Sequence, residues 1–395
     1  MSTPSHRDAV TRLRDLASSA GLRKVSILAW RDLDDPEAGG SEVHAANIAA
    51  LWAEAGMEIT MRTSFAAGHP QVSRRDGYRV IRKAGRYMVF PRAAFTEMMG
   101  WHGGRDGLVE IWNGMPFFSP LWSRTPHVTW FHHVHAEMWN MTLPPRLATA
   151  GRVLESRIAP RFYRRTPIVT LSDSSKRDLV EDLGFADRMV RVVPPGIDPR
   201  FTPGAAKADR PLVVAVGRLV PVKRFEVLIP ILVDLKRRVP DLEAVIVGEG
   251  YRREDLEEQI RAAGAEAWLT LPGRIGDDAL VDLYRRAWVL ASVSSGEGWG
   301  MTITEAAACA TPAVATRITG HVDAIVEGST GLLGDGPGEV TDALERVLCD
   351  PDLRSRLSSA ARAHAEQYTW EHTAEGTLRA LAEDAVRRRG APHPH

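Results

Sequence analysis

Short runs of branched apolar residues recur along this chain, separated by stretches of helical length and composition. Residues 24–30, 58–62, 78–82, 108–112, 127–131, 168–171 and 190–193 form one such series. Residues 212–216, 244–247, 268–271, 287–293 and 312–316, with an edge strand at 331–333, form another. Strands that alternate with helices build parallel sheets, because the crossover needs a helix, and ligands gather at the carboxyl ends of such strands. The segment Pro194-Pro195-Gly196-Ile197-Asp198-Pro199, followed by a polar run to Arg210, separates the two series. A chain of 395 residues exceeds one ordinary core. The expected architecture is therefore α/β with two Rossmann-like domains. Residues 1–198 form the first and 199–370 the second; 371–395 are a helix and tail, with disorder from Arg387 onward.

The richest stretch runs from Ser294 to Pro312. A buried strand leads into Ser294-Ser295-Gly296-Glu297-Gly298-Trp299-Gly300, and strong helix formers from Met301 and Thr302 continue to the stop at Thr311-Pro312. A glycine turn opening a helix presents free N–H groups and the positive end of the helix dipole, which suit a phosphate. Glu297 lies in the turn and Glu305 in the helix. Carboxylates accept hydrogen bonds from hydroxyls, so phosphate and polyol together point to a sugar nucleotide; the plainer alternative is a solvated acidic turn. Arg218 and Lys223 follow the strand at 212–216. They are either a solvated basic loop or the cations a phosphate needs.

In the first half, Gly39-Gly40-Ser41-Glu42 opens a helix to about Ala55, with Ser41 as its N-cap and Gly56 as its stop. Gly40 is thus a second candidate anion contact. The strand at 127–131 ends in His132, His133, His135 and Glu137. Metal binding is the weaker reading: adjacent side chains such as His132 and His133 point apart on extended backbone, and no second cluster supplies further ligands. Residues 74–104 mix Tyr87, Met88, Phe95, Met98, Met99 and Trp101 with basic residues. This reads either as a helix packed on the sheet with a basic outer face or as a surface for a membrane or lipid-linked acceptor.

Fifty basic residues balance fifty acidic ones, so no global field recruits nucleic acid or an anionic surface. Two cysteines give no disulfide framework and point to a reducing compartment. The first 23 residues lack an apolar signal core, and no run approaches the roughly 20 apolar residues of a spanning helix. The expectation is a cytoplasmic protein, peripheral at the inner membrane face if it touches a membrane.

Glu297-Gly298-Trp299-Gly300-Met301 followed by Glu305-Ala306 resembles the paired-glutamate signature of retaining glycosyltransferases of the GT-B fold, family 4. The resemblance extends from Lys24 to about Arg387 and includes Gly196 with Asp198. It departs at Trp299, where Phe or Tyr is usual, at Ala310, where Gly is commoner, and at Pro195 in place of Asn. It implies two Rossmann-like domains facing across a cleft, with the C-terminal helix returning to the first. It also implies that Glu297 meets the transferred sugar, Glu305 the ribose, Arg218 and Lys223 the pyrophosphate, and the backbone at Arg274-Ile275 the base. Gly298, Trp299, Gly300, Met301 and Thr302 complete the donor site with Gly40. His132 stands near the anomeric carbon, while His133, His135 and Glu137 face the acceptor. The implied reaction is metal-independent and cofactor-free. It moves a hexose from GDP-mannose or a UDP-glucose or UDP-GlcNAc type donor to a hydroxyl on a sugar, lipid-linked or small-molecule acceptor. A nucleotide-sugar 2-epimerase of the same fold, or a non-catalytic nucleotide-sugar binder, is the alternative.

Overall fold

A computed structural model describes residues 6–101, 103–135, 139, 141, 144–204 and 206–390. The chain divides into two units, Met1–Gly196 with Trp370–His395 and Ile197–Thr369.

In the first unit eight strands lie in the order β3-β4-β2-β1-β5-β6-β7-β8. They are β1 Lys24–Leu28, β2 Glu58–Thr63, β3 Val72–Arg75, β4 Tyr78–Arg82, β5 Gly107–Trp112, β6 His127–Phe131, β7 Ile168–Thr170 and β8 Val190–Val192. Their helices are α1 His6–Ser19, α2 Gly40–Glu54, α3 Val89–Met98, α4 Ser119–Trp122, α5 Pro145–Val153, α6 Pro160–Tyr163 and α7 Asp173–Glu181. A π-helical turn, Leu154–Ile158, joins α5 to α6. All pairings are parallel except β3 with β4. β5 and β6 are buried along their whole lengths, as strands covered by helices on both faces must be. The β3–β4 hairpin was not foreseen, although its turn is written in the sequence. Asp76 and Gly77 both take positive φ, 44° and 84°, as a two-residue primed turn requires.

The second unit has six parallel strands in the order β11-β10-β9-β12-β13-β14. These are β9 Leu212–Val216, β10 Glu243–Val247, β11 Leu269–Gly273, β12 Val289–Ser292, β13 Ala313–Thr316 and β14 Gly331–Gly334. The helices are α8 Phe225–Arg238, α9 Arg253–Ala262, α10 Asp277–Arg286, α11 Met301–Ala308, α12 His321–Ala324, α13 Pro337–Cys349 and α14 Pro351–Ala365. One continuous core joins Val213, Ala215 and Val289 of the sheet to Ile229 and Leu232 of α8 and to Leu344 and Val347 of α13. Each valine, leucine or isoleucine among them contributes about 1.5–3 kcal/mol by leaving water.

Helix α15, Trp370–Gly390, belongs to the first unit and packs on α1, α2, β5 and β6. Trp52 Nε1 donates to Ala374 O at 3.0 Å, and Asp384 accepts from the His127 amide at 2.9 Å. The helix also corrects an expectation. Arg387, Arg388 and Arg389 are its ordered last turn, held by Asp384 and the Ala20 carbonyl, because buried Asp384 needs their charge. Helix α2 brings a second correction: Gly39, not Ser41, is the N-cap, and Glu42 accepts from the Gly39 amide at 2.8 Å.

Candidate functional site

In both sheets chain order reverses between two central strands, and the loops that follow them open a crevice at the carboxyl edge. In the second unit those strands are β9 and β12. The loop after β9 carries Arg218, half-buried, and ends in a 3₁₀ turn, Pro221–Lys223. The loop after β12 carries Ser294 to Gly300, and Ser295 N donates to Val222 O at 2.9 Å, fastening the two loops together. Glycines bring the loops on either side equally close. A Cβ on Gly248 would lie 1.8 Å from Gly217 O, and one on Gly320 would lie 2.7 Å from Trp299 N and 2.8 Å from Glu297 O.

At this junction the Lys223 ammonium pairs directly with Glu297, whose Oε1 also accepts from Ser294 Oγ at 2.9 Å. His321, at the start of α12, places Nδ1 2.9 Å from Thr316 O and Nε2 3.3 Å from Ser292 Oγ. A carbonyl only accepts, so Nδ1 carries the proton and Nε2 takes the serine hydrogen. Burial opposes ionisation of Glu297, but the charge of Lys223 and the hydrogen bonds from Lys223 and Ser294 outweigh it and hold its pKa at about 2.

Glu305 has the opposite surroundings. Burial raises it, Asp198 and Asp277 add to the rise, and the bond from Tyr284 only partly offsets them, leaving it at about 7. Tyr284 Oη donates to Glu305 Oε2 at 3.1 Å. The two glutamates of one strand–turn–helix element are thus a fixed anion and a group that titrates near neutrality. Tertiary neighbours make the difference: Lys223 is 74 residues from Glu297, and Tyr284 is 21 from Glu305.

Gly298 and Gly300 are buried in the turn; Met301 and Thr302 are half-buried at the start of α11. Gly300 has φ 106°, and no side chain caps this helix, so its first N–H groups keep their capacity for an anion. Trp299, assigned to the donor site by the resemblance, is buried. It is 3% exposed and packs edge-on against Tyr368 at 5.1 Å, its apolar area being better satisfied in the core. Arg274, exposed, and Ile275, half-buried, follow β11 at the sheet edge, separated from β9 by β10.

In the first unit the reversal lies between β1 and β5. Gly40 is exposed there, and Asn113 Nδ2 reaches Ser41 Oγ at 3.4 Å across the two loops. The acidic loop after β1 is clamped: buried Arg82 binds Asp32 and Asp34, Arg75 binds Asp34, and Arg31 binds Glu37 and Glu42. His132 is 3% exposed; its Nε2 lies 3.2 Å from Nδ1 of fully buried His44. Burial pushes His44 down to about 3 and His132 well below its ordinary value, so both are neutral. His133 and His135 stack on each other at 4.6 Å, and the His135 amide donates to Glu155. Glu137 lies outside the described residues. Among the described residues no group of three His, Cys, Asp or Glu side chains could hold a metal ion.

Sequence reading missed His44, Tyr284, Ser294 and His321 as neighbours of these groups. Ser294 and His321 stand beside glycine turns already singled out, a signal that could have found them. His44 and Tyr284 sit in ordinary helical contexts and carried none.

Residues 199–364 match the sequence model of the glycosyl transferases group 1, and residues 38–201 that of glycosyltransferase family 4. A D-inositol 3-phosphate glycosyltransferase of Corynebacterium urealyticum is 30% identical over 86% of this chain and 89% of its own length. That of Acidothermus cellulolyticus is 28% identical over 99% and 97%. The sucrose-phosphate synthase of Thermosynechococcus elongatus superposes with a TM-score of 0.76 at 18% identity, covering 89% of this chain and 96% of its own. Anabaena HepE, solved with UDP-glucose, gives 0.70 at 18%, covering 92% and 99%. At such identities the likeness speaks for the fold, which is GT-B.

Proposed function

Because this chain belongs to the family 4 glycosyltransferases, we propose that it transfers a hexose from a nucleoside diphosphate sugar to a hydroxyl acceptor with retention of anomeric configuration. The observation that carries this reading is the meeting of Lys223 with Glu297, beside Glu305, where the second sheet reverses its order.

A diphosphate brings more negative charge than one carboxylate, so it competes with Glu297 for Lys223. Lys223, Arg218 and the N-terminus of α11 then stabilise charge growing on the leaving diphosphate, in geometry already paid for by folding. Glu297, released from its cation, accepts from a sugar hydroxyl, and Glu305 accepts from the ribose. The backbone at Arg274 and Ile275 is assigned to the base. The cations are side chains, so the reaction proceeds without a metal. In the first unit the resemblance assigns His132, kept neutral, to positioning the reactants, and His133, His135 and Glu137 to the acceptor.

Relatives bear the name D-inositol 3-phosphate glycosyltransferase, and inositol phosphate is accordingly the first acceptor to test. UDP- and GDP-linked glucose, N-acetylglucosamine and mannose are the donors to screen.

Calorimetry with UDP and GDP, beside a product assay, tests the site. Glu305→Ala should weaken binding of the preferred nucleotide by about 1.5–3 kcal/mol, the worth of a charged hydrogen bond. Lys223→Ala should lower turnover about 10²–10³-fold, as loss of one preorganised charge does. Both variants binding and turning over like the parent would sink the reading. Proton NMR of the product must show the anomer of the donor, and turnover without any acceptor would favour the epimerase.

A further inference from the structure

We propose that the first unit docks on an anionic lipid bilayer through α3, with α4, α5 and α6 extending the surface. Seventeen large apolar side chains are exposed among the described residues, and fifteen of them belong to this unit. Six fall between Tyr87 and Trp101.

Helix α3 is apolar on both sides. Val89, Phe90, Ala93 and Thr96 are buried against the body of the unit. Met88, Arg92, Phe95 and Met99, spaced by four, three and four residues, form a stripe on the opposite side, all exposed. Tyr87, Met98 and Trp101 flank it; Trp101, 62% exposed, meets Phe95 edge-on at 5.5 Å. A helix whose outer side faced only water would be polar there.

The charges beside this stripe say what covers it. Lys83 and Arg92 accompany it, Arg86 is paired with exposed Glu37, and Glu97, the one acid of α3, is buried and neutralised by Arg62 and Arg105. Lys83 and Arg92 line a cavity of about 250 Å³ with Arg62, Thr63, Thr96 and Trp101. Ile81, Val89 and Ala93 complete a largely apolar lining, and with Arg62 paired to Glu97 the cations left to meet a lipid phosphate there are Lys83 and Arg92.

The same chemistry continues next door. Helix α3 packs on α4, and α4 on α6, where Phe118 meets Phe162 at 5.9 Å. From Arg146 to Arg165 there are six arginines and a single acid, Glu155, which is buried and accepts from the His135 amide and the Trp139 indole. Leu121, Leu147, Val153, Ile158 and Phe162 are exposed among them. Aromatic and methionine side chains interleaved with arginines over several short helices match a headgroup interface, where the rings enter the acyl boundary and the cations meet phosphate. A dry protein interface would exclude so many charges from its centre.

Flotation of the full chain with vesicles tests this, using phosphatidylcholine alone and phosphatidylcholine mixed with phosphatidylglycerol. The parent should float with the anionic vesicles, be released by salt, and ignore the neutral ones. Lys83→Ala with Arg92→Ala should weaken binding about fivefold for each charge removed. The triple change Met88→Ser, Phe95→Ser, Met99→Ser should abolish flotation while leaving the melting temperature and nucleotide binding as in the parent. Those last two readouts keep the result separate from the donor-site proposal. No flotation of the parent, equal flotation of the triple variant, or self-association through this face without vesicle binding would each overturn it.

Discussion

The two units share one architecture and use it differently. Both place loops at the carboxyl edge of a parallel sheet and reverse their order at the middle. The second carries 20 basic and 26 acidic residues, exposes only Tyr251 and Val326 among the large apolar side chains of its described residues, and gathers its charges where glycines let loops touch. The first carries 30 basic and 24 acidic residues and shows fifteen large apolar side chains at the surface of its described residues. One brings Lys223 and Glu297 together between its central strands. The other has an extended amphipathic face as well as a crevice. The sheet alone dictates neither use; surface composition and loop contacts decide between them.

The sharpest way to separate the units is Gly320→Ala. Its Cβ would meet the backbone of Glu297, Gly298 and Trp299 within 2.8 Å, at a residue whose φ is 85°. The turn bearing Glu297 must move, since backbone cannot rotate aside as a side chain can. Nucleotide affinity should fall by more than about tenfold, roughly 1.4 kcal/mol or more, while vesicle flotation stays as in the parent. Loss of both would mean that the units do not act independently.

Acid should distinguish them next. In the first unit burial lowers His44 to about 3, His127 to about 4 and His132 well below its usual value. Unfolded imidazoles take up a proton near pH 6.5 that these folded ones refuse, so stability falls as pH drops below that value. Between pH 6.5 and 5 each contributes on the order of 2 kcal/mol of loss. Glu305 runs the other way. Its folded carboxyl keeps a proton up to about 7, the unfolded one releases it near 4.3, and its contribution therefore grows as pH falls through that window. His321 and His364, both lowered by burial, oppose it in the second unit, as Glu110, raised by burial, and His6, raised by its bonds to Glu371 and Glu54, oppose the three histidines in the first. Calorimetric scans from pH 7 to 5 should lower the first unit's transition more than the second's. A reversed order would break the comparison.

The smallest effect concerns Ala310, which ends α11 at φ 56°, in the left-handed region that favours glycine. Ala310→Gly should raise the second unit's stability by about 0.5–1 kcal/mol, seen as a higher melting temperature with unchanged kinetics. A lower temperature would show that tertiary packing rewards the methyl more than the backbone resents it.

The strands, most helices and the glycine loops that follow the central strands were legible in the sequence because their signals are local. Branched apolar runs, glycine at turns and helix formers after Gly300 act within a few residues of one another. A parallel sheet then carries Arg218, Lys223, Glu297 and Arg274 to one edge whatever the details of packing. The β3–β4 hairpin and the ordered end of α15 were just as local in their causes, an Asp-Gly pair and an aspartate below three arginines, yet went unread. Other properties depended on residues far apart in the chain and on exclusion of water. Lys223 holds Glu297 ionised, Tyr284 and burial hold Glu305 near neutrality, His44 encloses His132, and Trp299 turns into the core. A carboxyl group in a sequence has one ordinary pKa. Two carboxyls eight residues apart acquire different ones only when the folded chain gives each its own neighbours and its own share of solvent, and so tertiary structure alone decided their chemistry.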